Sequence, residues 1–285
     1  MGQIGQEGLY MVTKIISGQV VERRKSRISR RPAKRGGRIR GNSSERKIVG
    51  NREYAKLCLA RVLNCNFAPG DLWLTAKFDP TGLEKIGGTY EGAKEAGKKF
   101  IARLVYRLRK RGLVTRWVLA PSQIDGETGE LVRPHIHIVI TGEAFAMRER
   151  CLWLGEELVD DIWGLGQVDV QFLRHQADYK PLADYIVNQS RGVPDEKKWT
   201  CSRNMKKPIV RREVVTSGAQ LRVPPGAVEL PGTRYDPEKG QNFVRYIPAA
   251  RDPRRKVGGH KEMALALMGG ADPERGGEDG DPGGL

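Results

Sequence analysis

The sequence predicts an α+β protein with a ferredoxin-like split βαβ arrangement, in which an antiparallel sheet carries helices on one face. Two observations predict this class. Segments with alternating apolar residues, typical of strands, are interleaved with segments whose apolar residues recur every three or four positions, typical of helices. The resulting order is β-α-β-β-α-β followed by one more helix, and the two middle strands are joined by the turn-forming stretch DGETGE.

The first half of this pattern comprises a strand, a helix and a hairpin. Residues 71–78 alternate as a strand, and residues 98–112 carry an apolar stripe that ends at a glycine suited to a helix C-terminus. Residues 113–120 and 131–140 are the strands of the hairpin. The second of these reads LVRPHIHIVI.

The second half comprises a helix, a strand and a short helix. Apolar residues at spacings of three and four predict a helix that ends near Gly164, and they are Met147, Cys151, Leu154, Leu158 and Ile162. Residues 167–172 alternate as a fourth strand. Pro181 then opens a helix, because proline suits the first helical turn.

Composition divides the chain into three parts. Residues 1–49 contain a stretch rich in Arg, Gly and Ser and poor in apolar residues, which predicts a basic, largely disordered arm. Residues 50–250 are expected to form the folded domain with a basic C-terminal extension. Residues 251–285 are rich in Gly, Asp and Pro and are expected to be a disordered tail.

The net charge of +16 and the pI near 9.9 favour a polyanionic partner, most simply nucleic acid. No apolar run approaches the roughly 18 residues that a membrane span needs, so no membrane association is expected. The four cysteines form no CxxC pair, which indicates reduced thiols in a cytoplasm, and they are Cys58, Cys65, Cys151 and Cys201.

Two of the four histidines, His135 and His137, are one residue apart in a predicted strand. Residues i and i+2 of a strand share a face, with Cα atoms about 7 Å apart, so the two imidazoles can close on one metal ion. The alternating isoleucines then point into the core. The alternative is a pair of ordinary surface histidines on an exposed sheet face.

Tyr185 lies on the helix opened by Pro181, with Asn188 and Gln189 three and four residues later on the same helical face. A tyrosine among polar neighbours is a candidate nucleophile, and the alternative, which the tyrosine taken alone favours, is a core-edge tyrosine with a solvated hydroxyl. Tyr179 is the rival candidate, and it precedes the helix.

Together these stretches resemble the HUH endonucleases, specifically the rolling-circle replication initiators (Rep proteins) of phage-like and plasmid-like elements. Three stretches are similar to the family's three motifs in order and spacing: DLWLTAKFDP (71–80), RPHIHIVI (133–140) and LADYIVNQ (182–189). Two more stretches fit bacterial and phage members: IWGLGQVDVQ (162–171) and KKWTCSRNMKKP (197–208).

The resemblance implies a set of site residues. His135 and His137 would bind Mg²⁺ or Mn²⁺, and Tyr185 would be the nucleophile. The third metal ligand would come from LAPSQIDGETGE (119–130), with Gln123 the first choice and Glu127 and Glu130 behind it. Many members carry lysine three residues after the tyrosine. Here that catalytic position is Asn188, which departs from the pattern.

The implied activity is site-specific nicking of single-stranded DNA at a replication origin through a 5′-phosphotyrosine, which initiates rolling-circle replication. A host helicase and polymerase would then be partners, in a bacterial host or mobile element. The basic segment 197–212 would contact DNA, with Trp199 stacking on a base and the polar and charged side chains binding phosphates. These contacts would come from Ser202, Arg203, Asn204, Lys206 and Lys207. The alternative for this segment is a solvated basic loop.

Two other functions fit the same residues. A transposase or relaxase of the same superfamily would keep the chemistry and change the biology. A non-catalytic nucleic-acid-binding protein would use the basic surface without the cleavage step.

Overall fold

A computed structural model describes residues 8–28, 45–142, 160–190, 197–236 and 241–249. The helices in these ranges are α1 (Glu45–Asn66), α2 (Pro80–Lys85), α3 (Tyr90–Lys110) and α4 (Lys180–Asn188). The strands are β1 (Tyr10–Ser17), β2 (Val20–Arg27), β3 (Leu72–Lys77), β4 (Trp117–Ile124), β5 (Leu131–Ile140), β6 (Val168–Phe172), β7 (Thr200–Cys201), β8 (Ile209–Val215), β9 (Val228–Glu229), β10 (Arg234–Asp236) and β11 (Gln241–Ile247). No helix in the described part of the chain is both long and apolar enough to cross a membrane.

The five-stranded sheet has the order β6-β3-β5-β4-β7, and all its neighbouring strands are antiparallel. Helix α3 connects β3 to β4, and a turn at residues 125–130 closes the β4–β5 hairpin. These features confirm the predicted α+β class. Most of the predicted helix between β5 and β6 lies outside the described residues. Its described end, residues 160–163, is helical.

Helices cover both faces of this sheet, so the expectation of helices on one face is wrong. On one face Ile136, Ile138 and Ile140 pack beneath α3. On the other face Val118 and Val139 pack beneath α1 and α4. Each such buried side chain contributes roughly 1.5–3 kcal/mol. The strands therefore present two apolar faces, and both need a cover.

Helix α3 begins eight residues earlier than the apolar stripe predicts. Thr89 caps it, because its Oγ1 accepts a hydrogen bond from the Gly92 N–H at 3.0 Å. Gly97 lies against Ile136, and a Cβ on that glycine would be 3.2 Å from the isoleucine side chain. Gly97, which weakens the helical pattern, is therefore a residue that lets the helix approach the sheet.

A second, six-stranded antiparallel sheet has the order β10-β11-β2-β1-β8, with β9 paired to β11. Residues 10–27 form two of its central strands, so the prediction that residues 1–49 are largely disordered is wrong for this part. Residues 45–49 of that stretch begin α1, while residues 1–7 and 29–44 lie outside the described residues, as does the predicted tail at 251–285.

The second sheet joins N-terminal and C-terminal segments around a small core, to which Val12, Val21 and Val244 contribute. The β1–β2 turn fits closely against α1. Gly18 has a φ of +57°, and a Cβ there would be 2.2 Å from the Asn64 carbonyl oxygen. Only glycine suits this position, because both its conformation and its contact exclude a side chain.

Candidate functional site

The two histidines lie on β5, the central strand of the five-stranded sheet, beside β3. His137 pairs with Thr75 and His135 with Lys77, so both imidazoles point to the face opposite the isoleucines, as the alternation predicts. The His135 and His137 Nε2 atoms are 3.1 Å apart. His137 is buried, and its ring stacks on Trp73 at a centroid distance of 4.6 Å. The indole therefore holds this imidazole in place.

A third polar atom meets the two histidines, and it belongs to Gln189. The Gln189 Oε1 atom is 2.6 Å from His137 Nε2 and 3.4 Å from His135 Nε2. Two nitrogens and one amide oxygen thus converge within hydrogen-bonding distance of each other. Among the described residues, no group of three His, Cys, Asp or Glu side chains forms such a cluster, so this one is built with an amide.

The second nitrogen of each ring has its own partner. His135 Nδ1 is 3.1 Å from the Arg133 carbonyl oxygen, which can only accept, so Nδ1 carries the proton. The His135 Nε2 atom then presents a lone pair to the cluster. The Thr75 hydroxyl, 3.3 Å from His137 Nδ1, can donate to that nitrogen or accept from it. In the first case His137 Nε2 carries the proton and donates to Gln189 Oε1, and in the second His137 Nε2 presents a lone pair as well. This orientation of the rings is the one that metal-binding histidines adopt.

His137 is neutral at physiological pH. Burial lowers its pKa to about 3, the nearby His135 contributes in the same direction, and the hydrogen bond with Gln189 opposes both effects. A neutral imidazole is the form that binds a metal ion. The donor set of two imidazoles and an amide oxygen therefore fits a divalent cation.

Tyr185 lies beside this cluster, one turn before Gln189 on α4. Its side chain is 47% exposed, and its ring centroid is 5.6 Å from that of His137 and 6.1 Å from that of Trp73. The hydroxyl-bearing ring is thus held near the three donors without being enclosed. This combination of access and fixed position suits a nucleophile.

Tyr179, the rival nucleophile, is buried in the core with α1 and α4. Burial raises the pKa of its phenol, and the Asp71 carboxylate adds to the effect. A substrate therefore has no route to this oxygen, and a phenolate is disfavoured there.

Helix α4 is held at both ends. Ala183, Ile186 and Val187 pack it into the core with α1. At its C-terminus the Gln189 carbonyl oxygen accepts hydrogen bonds at 3.1 Å from the Gln123 and Ile124 N–H groups, where β4 has an irregular register. This anchor places the Gln189 side chain over the histidines.

Buried charges hold the N-terminus of α4. Asp178 accepts hydrogen bonds from Arg245 Nη2 on β11 at 3.0 Å and from Asn64 Nδ2 on α1 at 3.0 Å. Arg245 also lies 3.5 Å from Glu22 on β2, which in turn accepts from Arg61 Nε at 2.9 Å. The six-stranded sheet is therefore linked through ion pairs to the helix that carries Tyr185.

The structure differs from the sequence prediction at two positions, the candidate third metal ligand and Asn188. The Gln123 backbone N–H donates to the Gln189 carbonyl oxygen, whereas it is the Gln189 side-chain oxygen that lies against the histidines. Glu127 and Glu130 are exposed in the hairpin turn. Asn188 does not line the cleft, and its carbonyl oxygen accepts from Arg52 at 2.9 Å. The geometry therefore does not support Gln123 as the third ligand, and Gln189 takes its place as the candidate.

The basic segment 197–207 lies at the opposite edge of the sheet from β6, and none of its predicted DNA contacts lines the cleft. Ser202 is buried and hydrogen-bonded to the Trp117 backbone, and Asn204 donates to the Thr115 carbonyl oxygen at 3.1 Å. Trp199 packs against the core. Burial of Ser202 corrects its prediction, whereas Asn204 is exposed and Trp199 is half-buried, so DNA contact through these two stays a prediction. Arg203, Lys206 and Lys207 are exposed, so DNA contact through them stays a prediction.

An open cleft of about 1040 Å³ surrounds the cluster. Arg133 and Arg174 are exposed on its lining, and the rings of Trp73 and Tyr185 also line it beside His137. Sequence analysis missed Trp73, although it lies on a strand that the alternation identified, on the same face as Thr75. Cationic and aromatic groups of this kind bind the phosphates and bases of single strands.

Comparisons of the chain with protein-family models, curated proteins and solved structures found no match.

Proposed function

We propose that the chain is a metal-dependent tyrosine endonuclease and strand transferase that acts on single-stranded DNA. The observation that carries the proposal is the convergence of His135, His137 and Gln189 beside Tyr185, in a cleft with exposed cationic and aromatic groups. Separate elements, β5 and α4, supply these groups. A purely structural histidine pair needs neither the open cleft nor the exposed tyrosine.

His135, His137 and Gln189 would hold the divalent cation, Mg²⁺ or Mn²⁺. When bound, the cation would neutralise negative charge on a phosphodiester. The chain's own residues keep the ligands ready for this: the Arg133 carbonyl oxygen orients His135, and Trp73 and Thr75 fix His137.

In the proposed step the Tyr185 oxygen attacks the phosphorus of a single strand. A bond forms between that oxygen and phosphorus, and the bond from phosphorus to the 3′ oxygen breaks. The phenolic proton leaves to solvent, to which Tyr185 is open, and the departing 3′ oxygen takes up a proton. The products are a 5′-phosphotyrosine and a free 3′-hydroxyl. The covalent bond retains the phosphodiester energy, so the strand can be rejoined or transferred without a nucleotide cofactor.

The resemblance of the three motifs to rolling-circle initiators supports a role in starting replication, because the free 3′-hydroxyl can prime synthesis. Unwinding and synthesis would then fall to a host helicase and polymerase. The charge of +16 supports binding of the polyanionic strand.

The test is covalent capture. Incubated with circular single-stranded DNA from its parent replicon and Mn²⁺, the protein should form an adduct whose trimmed peptide carries nucleotide mass on Tyr185. Tyr185→Phe should bind DNA and form no adduct, while Tyr179→Phe should form it. Metal-dependent binding without any adduct or nick would leave only a nucleic-acid-binding function. An adduct on another residue would overturn the nucleophile assignment.

A further inference from the structure

Strand β8 forms one edge of the six-stranded sheet. It pairs with β1 on one side, and in the described part of the chain no strand pairs with its other side. Six of its seven residues are exposed, including Ile209, Val210 and Val214, which are each about half exposed. The pairing with β1 runs without a register shift from Ile209 to Val215. The outer edge is therefore long, regular and partly apolar.

Such an edge offers a row of backbone donors and acceptors to another strand. Proteins commonly block an edge with a proline, a bulge, a short strand or charged side chains. Strand β8 has only the charges, because Pro208 precedes it and its register is continuous. Its charges, Arg211, Arg212 and Glu213, are therefore what selects the partner.

The sequence of β8, IVRREVV, is complementary to itself in the antiparallel direction. With Arg212 on a two-fold axis, Val210 of one copy lies opposite Val214 of the other. Ile209 then lies opposite Val215, and Arg211 opposite Glu213. A shift of the register by one residue places valine opposite arginine or glutamate instead. Cross-strand neighbours share a face, so this one register matches both the apolar residues and the charges.

We propose that β8 pairs antiparallel with β8 of a second copy of this chain, which joins the two six-stranded sheets into one. This inference is independent of the proposed function. An interface built on one seven-residue edge is small, so the dimer is weak and depends on protein concentration. Its one unfavourable contact is at the axis, where Arg212 lies opposite itself.

The first test is sedimentation of the full chain from low to high micromolar concentration, after nuclease treatment. A concentration-dependent dimer is expected. Arg211→Glu or Glu213→Arg alone places like charges opposite each other twice and should weaken the dimer about ten-fold. Combining the two changes in one chain, or mixing the two single variants, restores both ion pairs and should restore dimerisation. Arg103→Glu, on the exposed face of α3, is the matched control and should change nothing.

The second test uses disulfide formation. Residues opposite each other in an antiparallel pair have Cα atoms about 4.5–5.5 Å apart, which a disulfide can span. Arg212→Cys should therefore cross-link to itself under mild oxidation. Arg211→Cys should not cross-link, because residue 211 of one copy lies opposite residue 213 of the other and the two cysteines are displaced along the strands. Arg212→Thr should tighten the dimer by removing the like charges. A monomer at all concentrations, or a dimer that ignores both single charge reversals, would overturn the proposal.

Discussion

The Arg245 guanidinium lies 3.0 Å from the Asp178 carboxylate, which joins the last strand of the six-stranded sheet to the residue just before the cap of α4. Arg245 is only 1% exposed, and the Asp178 side chain is 10% exposed. Removing one member of a buried ion pair strongly lowers the free energy of unfolding, because the remaining charge stays buried without its partner.

Arg245→Met should therefore lower the free energy of unfolding by about 3–5 kcal/mol, as expected when one member of a buried pair is removed. Urea unfolding measures this loss. Lys98→Met is the control, because Lys98 pairs with Glu95 on the surface, and it should change stability by less than about 1 kcal/mol. Equal effects of the two substitutions would contradict the structural role of the buried network.

Gln189→Leu should reduce Mn²⁺ affinity by about ten-fold or more, because it removes the one amide oxygen among the three donors. Isothermal titration calorimetry gives the affinity directly. Asn188→Leu is the matched control on the neighbouring helical position, and it should bind Mn²⁺ like the natural chain. Gln189→Glu should strengthen binding, because a carboxylate replaces a neutral oxygen. If Gln189→Leu and Asn188→Leu behave alike, Gln189 is not a ligand.

Gly18→Ala and Gly87→Ala separate the cost of backbone conformation from the cost of a collision. Both glycines have positive φ values, +57° and +67°, but only at Gly18 would the new Cβ meet a backbone oxygen at 2.2 Å. Gly87→Ala should cost about 1–2 kcal/mol, and Gly18→Ala clearly more. The two unfolding midpoints in urea decide the matter, and similar midpoints would mean that the β1–β2 turn does not lie tightly against α1.

Tyr179→Phe should leave stability unchanged or raise it. The Tyr179 hydroxyl is buried and has no hydrogen-bond partner among the described residues, so its removal relieves a desolvation cost of about 1–3 kcal/mol. Thermal unfolding of this variant is the measurement. A marked loss of stability would show that the hydroxyl has a partner after all.

Sequence patterns found the elements of the five-stranded sheet because these signals are local. The alternation in RPHIHIVI fixes which residues share a face, and the structure places His135 and His137 together accordingly. The start of α3 was predicted too late, because Gly92 and Gly97 interrupt the apolar stripe.

The third donor could not be located from local patterns, because the position of the Gln189 side chain depends on tertiary packing. The spacing placed Gln189 on the same helical face as Tyr185. Its position over the histidines follows from hydrogen bonds to the irregular part of β4, which no local pattern records.

The second sheet was missed for a related reason. Its first strands contain Glu22, Arg23, Arg24 and Lys25, a composition typical of an unfolded arm. The partners that allow such charges to be buried are far along the chain: Arg245 meets Glu22, and the Ser217 and Ala219 carbonyl oxygens accept from Lys25. The pairing of β1 with β8 likewise joins segments about two hundred residues apart.

One helix carries both the exposed phenol of Tyr185 and the amide of Gln189, a single turn apart. The two groups therefore belong to one rigid segment, anchored by the ion pair at Asp178 at one end and by the Gln189 carbonyl oxygen at the other. Under the proposed function, a displacement of this helix would withdraw the attacking oxygen and the third metal donor together. Metal binding and nucleophilic attack would then be lost as a unit, and not one after the other.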